Sequence, residues 1–436
     1  MLTREALISL LHRMPGVSAI DASSDRRHSV VNTVVRCVHE GQRAVAVGTD
    51  TKTQIGALLD LVDLHLHDAD VLDGTPVASE EVTLLLAQDE WDTEAEGALR
   101  TLAAHLHAPF RVDLRRLTSQ GGVLPISAAG LDDMGDHQKY RYTDWLDLLM
   151  SVEDSPPPLV QRLLGALPRE QFRAYPVLGT KNWWSLRLEG LEVAQVGPYK
   201  GWAQVGADHE GARRGPERSA WTEVVPTGRL TIDDDRSVAA AVRAINCFAE
   251  AWVQVVSGSL KHNEHALESR VLRGLVPITT STGRLDLLRT PADGRVNWGS
   301  QFPTRWGRTA ASGGRYLDVL MRENSTPWAL ELKVEGSQGV GNYYRHAVDQ
   351  AVLYRHFIRS ATHLAPWFER FGLDHTACRA AVVVPEFRSA ADGWRRRLQR
   401  VCEAFDVELI EVPEHFARTA AHEPVEGSPV ASGTHS

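Results

Sequence analysis

Cysteine is scarce in this sequence, and long apolar runs are absent. The four cysteines stand far apart, without the close spacings of zinc sites or disulfide frameworks, and they are Cys37, Cys247, Cys378 and Cys402. We therefore expect reduced, buried thiols and a cytoplasmic protein. No apolar run approaches the roughly 18–20 residues that a membrane span needs, so no membrane partner is predicted. The N-terminus, with an acid and an early proline, has the pattern of an amphipathic helix rather than of a signal peptide.

Basic residues are in the minority, with 47 Lys and Arg against 56 Asp and Glu and a net charge of −9. Their distribution is uneven. Residues 261–400 carry 21 Lys and Arg against 13 Asp and Glu, so this segment alone has a basic surplus. A local surplus of this kind suits contacts with the phosphates of a nucleic acid. Scattered surface arginines are the alternative explanation.

The length of 436 residues and a hydrophobic share of 43% predict a globular chain of about two to three domains. Residues 1–155 alternate helical and strand-like patterns, with a helix predicted over 29–40, a strand over 43–48 and a helix over 54–65. This alternation predicts an N-terminal α/β domain with a parallel sheet. Three consecutive prolines at 156–158 mark its boundary, because they cannot continue a helix.

The order of strand, loop, helix and strand over residues 17–62 is similar to the opening of a helicase-type P-loop domain. The loop at 22–29 reads Ala-Ser-Ser-Asp-Arg-Arg-His-Ser, however, and lacks the glycines that let backbone amides hold phosphates. We therefore interpret this part as a generic α/β unit, with a degenerate P-loop-like relic without ATPase activity as the alternative.

Three further segments follow. Residues 165–258 are rich in aromatic and β-branched side chains and predict a small, mainly β module with a linking helix. Its tryptophans could stack nucleic-acid bases or fill the module's core, and they are Trp183, Trp184, Trp202 and Trp221. Residues 259–415 predict a helix-flanked mixed sheet, and the polar segment 416–436 predicts a disordered tail. The fold class is therefore α/β with a mainly β insertion.

Charged side chains interrupt two apolar runs in the third segment. Asp318 lies in Tyr-Leu-Asp-Val-Leu-Met, and Glu331 and Lys333 lie in Trp-Ala-Leu-Glu-Leu-Lys-Val. Side chains alternate along a strand, so Glu331 and Lys333 point to the same side. Charges on buried strands are costly unless a metal, substrate or partner compensates them. Two carboxylates and the carbonyl of Leu332 are hard oxygen ligands of the kind that Mg²⁺ prefers, and the lysine could orient the attacking water and stabilise negative charge.

Two helices are predicted beside these strands. In the first, Glu264 and Glu268 share a face at i, i+4, and Glu268 is the preferred candidate because it lies nearer the helix middle. In the second, Gln350 and Tyr354 have the same spacing and could hold a phosphate or a metal-bound water. A surface ladder of charges and an ordinary exposed helix face are the alternative interpretation.

The pattern over residues 260–412, about a third of the chain, resembles the PD-(D/E)xK nuclease superfamily and its RecB-like branch with a Gln-x-x-x-Tyr helix. The resemblance implies a restriction-endonuclease-like fold. It also implies that Glu268, Asp318 and Glu331 bind Mg²⁺, or Mn²⁺ as the alternative, that Lys333 acts on water, and that the Gln-x-x-x-Tyr pair supports substrate or metal. One departure is that Leu317, not proline, precedes the aspartate.

The function implied by this resemblance is a metal-dependent deoxyribonuclease that works in DNA defence or DNA processing. The N-terminal domains are then expected to select substrate or protein partners. RNA as the substrate and the oligomeric state stay open. Two alternatives remain at this point: an inactive nuclease-like fold used as a nucleic-acid-binding or scaffolding module, and a metal-dependent hydrolase of a non-nucleic substrate.

Overall fold

Three sheets of five to seven strands organise the chain, which is a mixed α/β protein. The computed structural model describes residues 4–21, 34–47, 51–67, 71–72, 75–76, 78–87, 93–126, 142–152, 155–168, 172–178, 183–188, 191–205, 228–256, 264–288, 298–304, 316–334, 340–387, 392–413 and 428–429. The predicted phosphate-type loop at 22–29 and Trp221 therefore lie outside the described residues. Of the predicted tail, only residues 428–429 are described.

The N-terminal sheet has the strand order β1-β2-β3-β6-β7-β8. Its strands are β1 (Val17–Asp21), β2 (Val34–His39), β3 (Gln42–Val47), β6 (Ala78–Leu86), β7 (Arg111–Leu117) and β8 (Val123–Pro125), and β4 (Val71–Leu72) pairs only with β5 (Thr75–Pro76). The helices of this part are α1 (Arg4–Arg13), α2 (Thr51–His67), α3 (Thr93–Ala104) and α4 (Tyr142–Met150).

Two predictions for this part are wrong. The sheet is mixed rather than parallel, because only the β3–β6 and β6–β7 pairs are parallel while β1, β2 and β8 pair antiparallel. The helix predicted over 29–40 is replaced by β2, where four of six residues (Val34, Val35, Cys37 and Val38) are apolar and pair in register with β3. β-Branched side chains favour such pairing over a helix. The predictions of β3 and α2 are confirmed.

The central module is an antiparallel five-stranded sheet in the order β13-β12-β11-β10-β9. Its elements are α5 (Pro158–Ala166), β9 (Phe172–Pro176), β10 (Trp184–Leu188), β11 (Leu191–Gly197), β12 (Trp202–Val205), β13 (Gly228–Thr231) and α6 (Asp235–Val256). Alternate residues of β10 are apolar and buried, namely Trp184, Leu186 and Leu188. This apolar face packs against α5 and α6, and the opposite face of the sheet carries mainly polar side chains.

The C-terminal sheet has seven strands in the order β14-β16-β17-β18-β19-β20, with β15 also pairing with β16. Its elements are α7 (Glu264–Leu272), β14 (Asp286–Leu287), β15 (Ser300–Pro303), β16 (Tyr316–Glu323), β17 (Thr326–Leu332), α8 (Val340–Ser360), α9 (Ala365–Arg370), β18 (Arg379–Pro385), α10 (Asp392–Ala404), β19 (Glu408–Val412) and β20 (Ser428–Pro429). The β17–β18 and β18–β19 pairs are parallel, and the helices α8 and α10 pack together against the sheet.

The three sheets share one continuous apolar core, which includes α2 from the first, β10 from the second and α8 from the third. A buried charge cluster fixes the contact of α2 with the C-terminal helices. The carboxylate of Asp63 is fully buried and accepts hydrogen bonds from Arg345 on α8 and from Arg397 on α10, at 2.8 Å for Arg397 Nη2. Within the described ranges, no helix has the length and apolarity to cross a membrane.

Candidate functional site

The hairpin β16–β17 brings Asp318 and Glu331 together. A two-residue turn joins the strands, and Asn324 adopts a left-handed φ of 56° there, which asparagine tolerates well. Val319 pairs with Leu330, so the next residues along the two strands, Asp318 and Glu331, lie side by side. The backbone N–H of Leu332 donates a hydrogen bond of 2.9 Å to Asp318 Oδ2 and fixes this carboxylate over the end of β17.

Lys333 lies directly after β17, and its ammonium is held by three oxygen atoms. Nζ is 2.5 Å from Glu331 Oε1, 3.1 Å from the carbonyl oxygen of Leu332 and 3.5 Å from Glu264 Oε2. The backbone N–H of Lys333 donates to the carbonyl of Val383 on β18 at 3.0 Å. Both Glu331 and Lys333 are buried, so this ion pair is shielded from water and its geometry is fixed by the sheet.

Both glutamates of α7 flank the hairpin, in different ways. Glu264 is partly exposed and contacts Lys333 directly. Glu268 is buried, and its Oε1 accepts a hydrogen bond of 2.5 Å from Ser300 Oγ on β15. The guanidinium of Arg187, from β10 of the central module, lies 3.3 Å from the same oxygen. The prediction had preferred Glu268 alone, whereas the structure brings both glutamates to the hairpin.

Gln350 and Tyr354 lie one above the other on α8, as predicted from their spacing. The Tyr354 hydroxyl is buried and donates to the carbonyl of Tyr316 at 3.1 Å, while the Gln350 amide reaches the same hydroxyl at 3.5 Å. Tyr316 begins β16 two residues before Asp318. In the arrangement described, Tyr354 therefore ties α8 to the strand that carries the aspartate.

Several acidic groups lie close together at the hairpin, and burial and their mutual repulsion shift their pKa values. Burial raises the pKa of Asp318 to about 7; Lys333 opposes this rise and Glu268 adds to it. Burial, and then the charge of Asp318, raise the pKa of Glu331 well above its ordinary value. Burial alone would lower the pKa of Lys333, but Glu331, Asp318 and Glu264 outweigh it and raise that pKa well above the usual range. Lys333 therefore stays an ammonium ion, while burial disfavours the ionised forms of both acids.

One atom of this group is left without a partner. Among the described residues, no hydrogen-bond donor reaches Glu331 Oε2, although the atom is buried. A buried carboxylate oxygen without a donor costs free energy unless a cation reaches it. Together with Asp318, it offers hard oxygen ligands that suit Mg²⁺ or Mn²⁺.

The other predicted metal ligands are engaged within the protein. The carbonyl of Leu332 accepts from Lys333, and Glu268 is held by Ser300 and Arg187. In the part of the chain that the structure describes, no three Asp, Glu, His or Cys side chains are arranged to hold an ion as they stand. The side chains at this site are of the chemical type that binds a divalent cation, and the carboxylates of Asp318 and Glu331 are the central candidates as ligands.

Sequence reasoning missed two residues at this site, Arg187 and Ser300. Arg187 interrupts the apolar residues Leu186 and Leu188 of β10, which is the same signal that marked Glu331 on β17. That signal could have selected Arg187 as a buried charge in need of a partner. Nothing in the sequence around Ser300 distinguishes it from an ordinary strand residue.

Comparison with known proteins gives no match: no family model matches the chain, and no curated protein or solved structure is significantly similar to it. What this site can do is therefore judged from its own side chains and from their surroundings.

Proposed function

We propose that the chain is a Mg²⁺-dependent nuclease, with Mn²⁺ as an alternative ion, that hydrolyses phosphodiester bonds of DNA at the Asp318–Glu331–Lys333 site. The observation that carries this proposal is the buried Glu331 Oε2, which has no donor among the described residues and lies beside a second carboxylate and a fixed ammonium ion. Buried carboxylates with raised pKa values are typical of sites that receive a cation.

The element order supports a restriction-endonuclease-like arrangement for the C-terminal part. Helix α7 precedes the antiparallel hairpin β16–β17, and helix α8 then leads to β18, which pairs parallel with β17. Helix α10 leads on to β19, which continues the parallel pairing. In this arrangement both carboxylates lie on the middle strands, the lysine directly follows β17, and α7 and α8 approach them from the flanks.

Each side chain has a definite task in this proposal. Asp318 and Glu331 would hold the cation, with the α7 glutamates contributing once they are released from their present partners. A bound Mg²⁺ would supply Lewis-acid polarisation of the phosphodiester and neutralise its charge. Lys333, as the ammonium ion, orients the attacking water and stabilises the charge that develops on the phosphate. Tyr354 holds the start of β16 in place and stays protonated, because burial, with Glu331 and Asp318 next in importance, raises its pKa.

The test compares the cleavage of plasmid DNA, linear duplex DNA, single-stranded DNA and RNA, with Mg²⁺ or Mn²⁺ and with a chelator. Asp318→Asn and Lys333→Met should each lower the rate by about 100-fold or more, because each removes a charge that acts on the phosphate or its cation. Glu403→Gln is the matched control. It changes an exposed glutamate of α10 that accepts a hydrogen bond from Gln399, and it should leave the rate unchanged.

Metal binding gives a second readout that does not need turnover. Titration calorimetry with Mn²⁺ should show one site whose affinity falls at least about tenfold in Glu331→Gln, since the variant loses the anionic oxygen that the ion would bind. If wild type cleaves no nucleic acid and binds no divalent ion, the proposal is wrong. Cleavage that persists in both site variants would also contradict it.

A further inference from the structure

The sheet of the central module has two unlike faces. Residues directly opposite each other on neighbouring strands share a face, and the pairs Arg187–Arg173, Ser185–Gln195, Gln195–Gln204 and Gln204–Arg229 trace one face across all five strands. This face carries basic, amide and aromatic groups. The opposite face is the apolar one that packs on α5 and α6. The polar face is covered in part: Ser185 and Trp202 are buried and Gln204 is partly exposed, whereas Arg229 is exposed.

Two tryptophans and an arginine form a cluster on the polar face, which we name the tryptophan platform: Trp183, Trp202 and Arg229. The Trp202 ring lies flat across Gly197, where a Cβ atom would come within 2.3 Å of it. The guanidinium of Arg229 stacks over this ring at 4.2 Å from its centroid. Trp183 meets it edge to face at 5.5 Å and keeps 38% of its own surface exposed. The exposed part of the platform is therefore the indole of Trp183 and the guanidinium of Arg229, and the Trp202 ring between them is buried.

The tryptophan platform lies on the same face of the sheet as Arg187, which reaches the candidate active site. Trp183 directly precedes β10 and is four residues from Arg187, so the two are about 13 Å apart at roughly 3.3 Å per residue. Arg187 ends at Glu268, and the neighbouring Tyr175 is buried against Leu267 of α7. One edge of the polar face is therefore packed on the C-terminal part beside the acids. The other edge carries the platform.

We propose that the tryptophan platform binds the unpaired bases of a single DNA strand whose phosphodiester lies at the Asp318–Glu331 site. This inference rests on the proposed function, and it adds the form in which the substrate is recognised. An indole face accepts any base by stacking, and an arginine beside it adds a cationic contact with base or phosphate. Bases in a duplex are stacked on each other, so this surface favours a strand that is already single.

The charges of the face support a polyanionic strand over an apolar peptide. Arg229 is exposed on this face and contributes a positive group to it, whereas the guanidinium of Arg187 is paired with Glu268. Its acid, Glu192, is engaged within the sheet, where it accepts hydrogen bonds from Ser185 Oγ at 2.5 Å and from Gln195 Nε2 at 2.9 Å. A peptide binding the same platform would need acidic rather than apolar side chains, and it would not depend on bases.

The test measures the binding of fluorescently labelled 20-nucleotide single-stranded DNA, the matching duplex and the matching RNA, in a chelator so that no strand is cut. Trp183→Ala and Arg229→Ala should each weaken binding to single-stranded DNA by about tenfold, which is about 1.4 kcal/mol at 25 °C. Trp183→Phe should restore most of the affinity, since phenylalanine also stacks. The controls are Leu124→Ala and Arg396→Ala, an exposed apolar residue of β8 and an exposed arginine of α10, and both should bind as wild type does.

The outcomes separate this inference from the proposed function. Binding that depends on Trp183 in a protein without cleavage would support the platform and count against the nuclease. Cleavage with binding unchanged by Trp183→Ala and Arg229→Ala would overturn the platform and leave the nuclease standing. Equal affinity for duplex and single strand, or tighter binding of an acidic peptide than of DNA, would also overturn it.

Discussion

The guanidinium of Arg187 lies 3.3 Å from the carboxylate of Glu268, although the two residues are 81 positions apart and belong to different modules. Ser300 donates to the same oxygen, so a cation and a hydroxyl both contact this buried glutamate. The central module therefore contributes a charge to the candidate site as well as a neighbouring surface. Removal of the Arg187 charge would change the electrostatics at α7.

Removal of Arg187 alone should destabilise the folded protein more than removal of both charges of this pair. We expect Arg187→Gln to lower the free energy of unfolding by about 2–4 kcal/mol, because the buried Glu268 would lose the guanidinium that lies 3.3 Å from its carboxylate. The double variant Arg187→Gln/Glu268→Gln should recover much of that loss. Urea unfolding of the two single variants and the double variant gives the coupling energy, expected at about 1–3 kcal/mol. Strictly additive losses would show that the two side chains do not interact.

The Asp63 cluster allows a matched comparison of buried and exposed ion pairs. Asp63→Asn should destabilise the protein by about 3–5 kcal/mol, since Arg345 and Arg397 would both lose the charge of a fully buried carboxylate, although Asp60 would still pair with Arg345 at 3.1 Å. Asp235→Asn removes an equally close partner of Arg162, but this aspartate is fully exposed, so the unfolding midpoint should not change. Thermal melts of both variants decide the matter. Equal effects would contradict a structural role for burial at Asp63.

In protein without a bound metal ion, the ionisation of Asp318 should destabilise the folded state at high pH. Its folded pKa of about 7 exceeds the ordinary value, so the folded state resists ionisation that the unfolded chain undergoes freely near pH 4. The penalty is absent below the unfolded pKa, grows as the pH rises, and is complete above about 7. In a chelator, Asp318→Asn should therefore raise the free energy of unfolding by about 1–2 kcal/mol at pH 8 and by little at pH 4.

The asparagine oxygen can still accept the Leu332 N–H, which keeps this hydrogen bond out of the comparison. Glu403→Gln, an exposed acid-to-amide change on α10, serves as the control and should show no such trend with pH. Melts of the wild type and of both variants over pH 4–8 provide the measurement. An Asp318→Asn protein that is less stable than wild type at pH 8 would show that the aspartate is already compensated in the folded protein.

Local sequence signals were enough to predict the centre of the site. Asp318 and Glu331 are 13 positions apart in two apolar runs with a short connection, and the hairpin follows directly from that pattern. Gln350 and Tyr354 followed from helical periodicity. The residues that the sequence did not reveal depend on contacts between modules, which no local pattern encodes. Arg187 reaches Glu268, and Ser300 becomes relevant only because β15 pairs with β16.

The same distinction explains the misjudged segments. The helix predicted over 29–40 is overruled by β2, because pairing with β3 buries its valines in a sheet. The basic surplus over residues 261–400 includes arginines of α10 that are engaged within the protein, because Arg395 binds Glu411 and Arg397 binds Asp63. Charge counted along a sequence does not show how much of it is already engaged within the folded protein.

The contact of Asp63 with Arg345 and Arg397 has a consequence for how such a chain can change over evolution. An N-terminal unit exchanged for one without an acid at this position would deprive the buried Arg345 and the partly exposed Arg397 of the carboxylate that both bind. Arg345 and Arg397 of the C-terminal helices would then have to mutate at the same time. Recombination is thus expected to keep the N-terminal unit and the C-terminal helices together. A homologue that has lost this N-terminal unit should also have replaced these C-terminal helices.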